Sequence, residues 1–222
     1  MNPETSSLQL RTARAPSRRA DGKARVRAGL LAAARHLFAR QGVAATTMDD
    51  IARLADVSRA TAFNYFPTKQ ALLAALVHEM EARFLHVIDA QFDRPASAAE
   101  RIAALFSWTA AKVEETPELS RVLIGASEAT FGAAADSGAR TARTHRAFTR
   151  VLDTGRREGN VRRDVGSEVL AEIVGGTYAG ILHAWRVGRR YPLRRRLDAA
   201  ALALGELIGP DARPGRRGSG AR

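Results

Sequence analysis

The stretch VSRATAFNYFPTK, Val57 to Lys69, interleaves Arg59, Thr61, Asn64 and Tyr65 with Ala60, Ala62, Phe63 and Phe66. These side chains are hydrogen-bonding groups of the kind that read nucleic acid. An arginine takes guanine O6 and N7 together, an asparagine pairs an adenine edge, and the methyls of Ala60 and Thr61 suit a thymine methyl. Thr47 and Lys69 fall at expected helix N-termini, where backbone N–H groups and a hydroxyl or ammonium meet phosphate. Ser58 stands with Arg59, Ala60, Thr61, Asn64 and Tyr65 on the same expected DNA-facing surface, while Phe63 and Phe66 turn inward.

The elements that hold these residues follow from periodicity and punctuation. Val26, Leu30, Ala33, Ala34, Leu37 and Phe38 recur at helical spacing, predicting a first helix over 25–40 with Gly42 as its stop. Thr47 with Asp50 three residues on opens a second helix as a capping box. Asp56 and Val57 form a tight connection, and Ser58 caps a third helix that ends before Pro67. Thr68 caps a fourth helix that reaches about Phe92. Two short helices joined by a three- to four-residue turn make the helix-turn-helix plan. Further helices are predicted over 98–115, 117–131, 140–158, 167–188 and 195–208, with no alternating strand pattern anywhere. The fold class is all-α: an N-terminal trihelical helix-turn-helix domain over 25–70, then a larger C-terminal helical domain over 71–208. Residues 1–24 and 209–222 read as disordered basic tails, being rich in Arg, Ser, Pro, Ala and Gly.

On these residues the chain resembles the TetR-type bacterial transcriptional regulators. The matching positions are Thr47, Ile51-Ala52, Val57-Ser58, Tyr65-Phe66-Pro67, Thr68-Lys69 and Leu72-Leu73. The likeness is close over about 25–75, and beyond that rests on helix number, the GNVRRDV segment and overall length. Asp56 stands where most relatives carry Gly, and Phe63 where many carry a Tyr whose hydroxyl meets phosphate, a role that passes to Asn64 or Tyr65. The resemblance implies a homodimer that binds double-stranded operator DNA and is released by a small-molecule effector, with the C-terminal helices forming the effector pocket and the dimer interface.

The penultimate helix supports that interface independently. Val169, Ile173, Gly176, Gly180 and Ala184 line one stripe, while Leu170, Val174, Tyr178, Ile181, Leu182 and Trp185 cover much of the remainder. A helix apolar nearly all round is buried on both sides, here by its own core and by a second protomer. Leu197, Ala201 and Leu204 of the last helix are expected to complete a four-helix seam. The effector-pocket candidates are Phe106, Trp108, Phe131, His145, Phe148, Tyr178, His183 and Trp185. With no inward cationic cluster, the effector is expected to be neutral or amphipathic.

Composition sets the outer bounds. The net charge of +12 sits entirely at the ends: residues 1–27 carry seven basic side chains against two acidic, and 186–222 carry ten against three. There is no cysteine, which excludes thiol catalysis and cysteine-held zinc. No nucleophile elbow, phosphate-cradling glycine loop or HExxH motif is present, so neither an enzyme nor a cofactor or metal site is expected. The longest apolar run, Ile173 to Trp185, is shorter than the ~20 residues of a membrane span, and the N-terminus lacks a signal peptide's apolar core. A cytoplasmic protein with no membrane partner is expected. The rival reading is a helical ligand-binding or protein-interaction module whose arginine-rich tails attract DNA without sequence preference.

Overall fold

The computed structural model describes residues 18–129 and 135–210. Among these the secondary structure is helical: α1 (Arg18–Ala45), α2 (Met48–Leu54), α3 (Arg59–Tyr65), α4 (Lys69–Ala90), α5 (Ala98–Glu115), α6 (Pro117–Ala129), α7 (Ala135–Arg157), α8 (Ser167–Val187) and α9 (Leu193–Ile208). No helix among the described residues is long and apolar enough to cross a membrane.

Two differences from expectation concern α1. It begins at Arg18, so residues 18–24, expected within a disordered tail, are helical. Arg, Ala and Lys are good helix formers that need no apolar period to extend an existing helix. At the other end Gly42 takes φ 78°, ψ 169°, and helical turns resume beyond it to Ala45. Only a residue without Cβ adopts that backbone cheaply. The remainder of the expected tails, residues 1–17 and 211–222, lies outside the described residues.

The side chains form two cores. The first gathers Leu30, Leu31 and Phe38 of α1, Ile51, Ala62, Phe66, and Leu72 and Leu76 of α4. The second gathers Ile88, Ile102, Phe106, Phe148, Leu152, Val174, Leu197 and Leu204. Each fully buried Leu, Ile or Phe contributes roughly 1.5–3 kcal/mol. Helix α6 serves both: Leu119 and Leu123 belong to the first core and Ile124 to the second.

The larger unit has two distinct ends. Away from the trihelical unit, the buried Arg101 guanidinium donates to the Gln91 carbonyl at 3.3 Å and to Glu158 at 3.0 and 3.4 Å. Asn160 there caps α5, its Oδ1 accepting from the Ala98 N–H at 3.0 Å. Gly155 permits that junction, since a Cβ at this position would lie 2.5 Å from Val161 and 2.7 Å from Asn160 Oδ1. Ile208, closing α9, accepts from the Arg162 N–H at the same end. At the near end, Arg121 of α6 donates to the carbonyls of Trp185 and Arg186, both at 2.6 Å, and stacks over the Trp185 ring. Glu114, closing α5, pairs with Arg194, opening α9. The α8–α9 turn therefore lies beside the helix that packs into the trihelical core.

Candidate nucleic-acid interface and effector core

The trihelical unit is fixed by its caps. Thr47 Oγ1 accepts from the Asp50 N–H at 3.1 Å, and Asp50 Oδ2 accepts from the Thr47 N–H at 3.2 Å. The Thr47 hydroxyl also donates to Asp50 at 2.6 Å. These bonds hold the Asp50 carboxyl below the usual aspartate range. Asp56 takes φ 53°, a left-handed turn conformation that aspartate tolerates better than most residues. Ser58 then caps α3, its Oγ accepting from the Thr61 N–H at 3.1 Å.

With Ala62 and Phe66 buried and Phe63 half-buried, α3 turns Arg59, Ala60 and Asn64 fully outward. Thr61 and Tyr65 are half-buried beside them. Arg59 is held loosely over the surface, 3.2 Å from Asp49 of α2 and 5.4 Å from the Phe63 ring centre. Both contacts are exposed and weak, so the guanidinium is available to an outside acceptor.

Two expected phosphate contacts are engaged within the chain. The Thr47 hydroxyl is occupied by its capping box. The Lys69 ammonium donates to the carbonyls of Val43 at 2.8 Å and Ala44 at 3.2 Å. The last turn of α1 has no basic side chain of its own, and Lys69 supplies the cation that a helix C-terminus favours. To reach a phosphate, this side chain has to exchange those carbonyls for it.

In the larger unit, Phe84, Phe106, Phe148 and Tyr178 form one aromatic group, with Tyr178 5.3 Å from Phe84, 5.4 Å from Phe106 and 6.3 Å from Phe148 between ring centres. Thr109 donates to the Leu105 carbonyl at 2.9 Å, which leaves its oxygen to accept from the Tyr178 hydroxyl at 3.2 Å. Tyr178 as a whole is half-buried, but its hydroxyl lies inside the domain, and this burial pushes its pKa up to about 12. Phe84 was not among the expected residues. Its signal was the apolar run Leu76, Phe84, Ile88 continuing along α4 past the trihelical unit.

Among the described residues, none of the other expected pocket residues makes a ring contact with this group. Trp185 is buried beneath Arg121 at the near end. His183 is exposed and sits 3.2 Å from Glu128. Trp108 and His145 are half-buried, and Phe131 lies outside the described residues.

Of the residues expected in the seam, those of α8 mostly face outward and those of α9 face inward. Val169 and Ile173 are 49% and 39% exposed, and nothing lies within 4 Å of a Cβ built on Gly176 or Gly180. Ala184 is half-buried. Leu197, Ala201 and Leu204, however, are buried in the chain's own second core. The outward apolar side chains of α9 are Leu202, 75% exposed, and Leu207. Both stripes of α9 are apolar, and its inner one packs on α5.

Residues 30–76 match the family model described as bacterial regulatory proteins, tetR family. The transcriptional regulator LuxR of Vibrio harveyi is 36% identical over 74 residues, which are 33% of this chain and 36% of that regulator. The chain thus matches less than half the length of these curated relatives. Among solved structures, SmeT, the repressor of the Stenotrophomonas maltophilia efflux pump SmeDEF, superposes with a TM-score of 0.70 at 22% identity, covering 84% of this chain and 91% of SmeT. The regulator FadR of Bacillus subtilis, in complex with stearoyl-CoA, gives 0.66 at 18% identity over 81% and 96%. These structural likenesses extend the shared fold across both units. The likeness to the tetR family of bacterial regulatory proteins thus rests on residues 30–76, the stretch that holds the capped N-terminal helices.

Proposed function

We propose that the protein is a transcriptional regulator that binds operator DNA as a homodimer and releases it when a small molecule enters the larger domain. The observation that carries this reading is the outward face of α3, where Arg59, Ala60 and Asn64 are exposed on a helix fixed at both ends. Base edges in a major groove are read by this combination of side chains. Residues 25–70 act as the reading head, and Thr47, Ser58, Thr61, Tyr65 and Lys69 flank the contact on the phosphate side. Two such heads meet successive grooves when their spacing is ~34–36 Å, which the outward stripe of α8 supplies by pairing with a second copy. Leu202 and Leu207 extend that stripe from α9.

The effector reading rests on the aromatic group around Tyr178. Four rings with one internal hydroxyl pair favour a largely apolar, uncharged ligand carrying a single hydrogen-bonding group. SmeT has been solved with triclosan and FadR with stearoyl-CoA, ligands with large apolar portions. Repression lifted by the effector is the mode proposed, in keeping with the repressor SmeT.

The test is binding to a duplex from the region upstream of its own gene, with excess scrambled DNA at ~150 mM salt, where nonspecific attraction is weakened. Saturable binding lost in Asn64→Ala and Tyr65→Ala supports the regulator. Binding indifferent to sequence, and abolished by removing residues 1–17 and 211–222, would instead favour a helical ligand-binding or interaction module.

A further inference from the structure

Between Arg186 and Arg196 the chain carries six arginines and no acidic residue. Three of the six are engaged: Arg186 pairs with Glu128, Arg194 with Glu114, and Arg196 stacks over Tyr191. Arg189, Arg190 and Arg195 are exposed and make no ion pair or hydrogen bond among the described residues. They cluster at the turn between α8 and α9, beside an open cleft of about 630 Å³ lined by Trp185, Tyr191 and Leu193 with Arg194, Arg195 and the carboxylates of Glu114 and Asp198. Glu114 is taken by Arg194, and Asp198 makes no ion pair among the described residues.

Position gives this cluster its meaning. Arg121 joins the end of α8 to the start of α6, and Leu119 and Leu123 of that same stretch of α6 enter the reading head's core. The arginine turn thus lies at the end of the larger domain nearest α1 and α4. It also closes the outward stripe of α8, which steps Val169, Ile173, Gly176, Gly180, His183 and Val187. In the proposed dimer both reading heads face one duplex, so the twofold axis runs along the domain toward the DNA. Pairing along α8 then brings both turns to that axis on the DNA side.

Gathering three unpaired arginines from each protomer there is electrostatically costly without a counter-charge. We propose that the α8–α9 turn is a second DNA-facing surface, whose Arg189, Arg190 and Arg195 meet the phosphates of the operator segment between the two half-sites. The proposal rests on the regulator reading above. The turn carries no base readers, so its contribution is independent of sequence and acts on affinity and association rate. Duplex DNA is the polyanion that the dimer's own geometry presents to it, and the attraction is felt over a Debye length of ~8 Å at physiological salt.

The test compares the wild-type full chain with the variant Arg189→Gln/Arg190→Gln/Arg195→Gln. The probes are a duplex selected by the wild-type protein from a random pool and a scrambled duplex of equal length. Each phosphate neutralised contributes about 0.9 to the slope of log affinity against log salt, so six arginines predict a slope shallower by up to about five. Hydroxyl-radical protection over the operator centre should be lost, while the preference for selected over scrambled DNA is kept. All three positions are exposed, and an unchanged melting temperature verifies that the variant folds.

An unchanged slope with unchanged central protection overturns the proposal. Because the effect is sequence-independent, the slope on scrambled DNA tests the turn even if no duplex is ever selected. That last result would sink the regulator reading and leave the turn to stand or fall on its own slope. An unchanged DNA slope with loss of binding to phosphatidylglycerol vesicles would assign the arginines to a membrane surface, and also overturns the proposal.

Discussion

Replacing Gly176 and Gly180 together by alanine separates an exposed helix face from a seam, because the two cases predict opposite signs. In a single protomer a Cβ at either site meets nothing within 4 Å. Each substitution then gains ~0.8–1 kcal/mol of helix propensity, or about 2 kcal/mol for the pair. At roughly 2–4 °C per kcal/mol for a chain of this size, the melting temperature should rise by about 4–8 °C. If α8 packs closely on its symmetry mate, the same Cβ atoms enter the seam, and each site appears twice. Overpacking of ~1–3 kcal/mol would then weaken association by about tenfold for every 1.4 kcal/mol. Sedimentation equilibrium gives the dimer dissociation constant, and melting over a hundredfold range of protein concentration reports the coupled stability. The expected result is a weakened dimer, with melting that becomes more concentration-dependent than in the wild type. A uniform rise in melting temperature with an unchanged dissociation constant would refute close packing at these glycines. Gly155→Ala serves as the internal contrast: its Cβ would strike Val161 and Asn160, so it should destabilise at every concentration by about 1–3 kcal/mol.

Tyr178→Phe should flatten the alkaline limb of stability. The folded pKa of about 12 lies above the ordinary value of 10.0, so the wild-type contribution is intact below pH 10 and is lost as pH rises toward 12, as pH-dependent melting can follow. Arg143 holds the buried Glu81 carboxylate through two bonds of 2.8 Å. Arg143→Met should therefore cost about 3 kcal/mol or more, and more than the double variant Glu81→Met/Arg143→Met, as judged by urea unfolding. The Asp50 carboxyl, held down chiefly by Thr47, should titrate below 3.8 by carbon-detected NMR and return toward that value in Thr47→Val. The stability linked to it is present above the ordinary value and fades as pH falls through the lowered one. Lys69→Met should weaken DNA binding and also lower the melting temperature, since the ammonium caps α1 in the free protein; weakened binding with no change in melting would refute the capping role.

What was legible in the sequence was local. Helix α5 runs over Ala98–Glu115, the bounds its apolar period predicts, and the turn at Asp56 holds because aspartate accepts a positive φ. These features depend on neighbours a few residues apart. The early start of α1 was not visible, because residues 18–25 carry no apolar period and, among the described residues, no core residue precedes Val26. The error on α9 has another origin. Leu197, Ala201 and Leu204 form one apolar stripe and Leu202 with Leu207 contributes to another, and only packing against α5 decides which faces inward. Lys69 was read from its place at a helix start, whereas its carbonyl partners lie 25 and 26 residues earlier in the chain. The grouping of Phe84 with Phe106, Phe148 and Tyr178 likewise brings together α4, α5, α7 and α8, a relation that no single helix records.

Helix α6 limits how this protein can be taken apart. With Leu119 and Leu123 in one core and Ile124 in the other, the trihelical unit borrows its last wall from a helix more than forty residues beyond its own chain segment. A chimera joined after residue 70, carrying a foreign trihelical unit on this larger domain, would leave two leucines facing a surface not shaped for them. The natural unit of exchange is the trihelical unit together with the inner face of α6, so recombination between chains of this fold should succeed only where those leucine contacts travel with it.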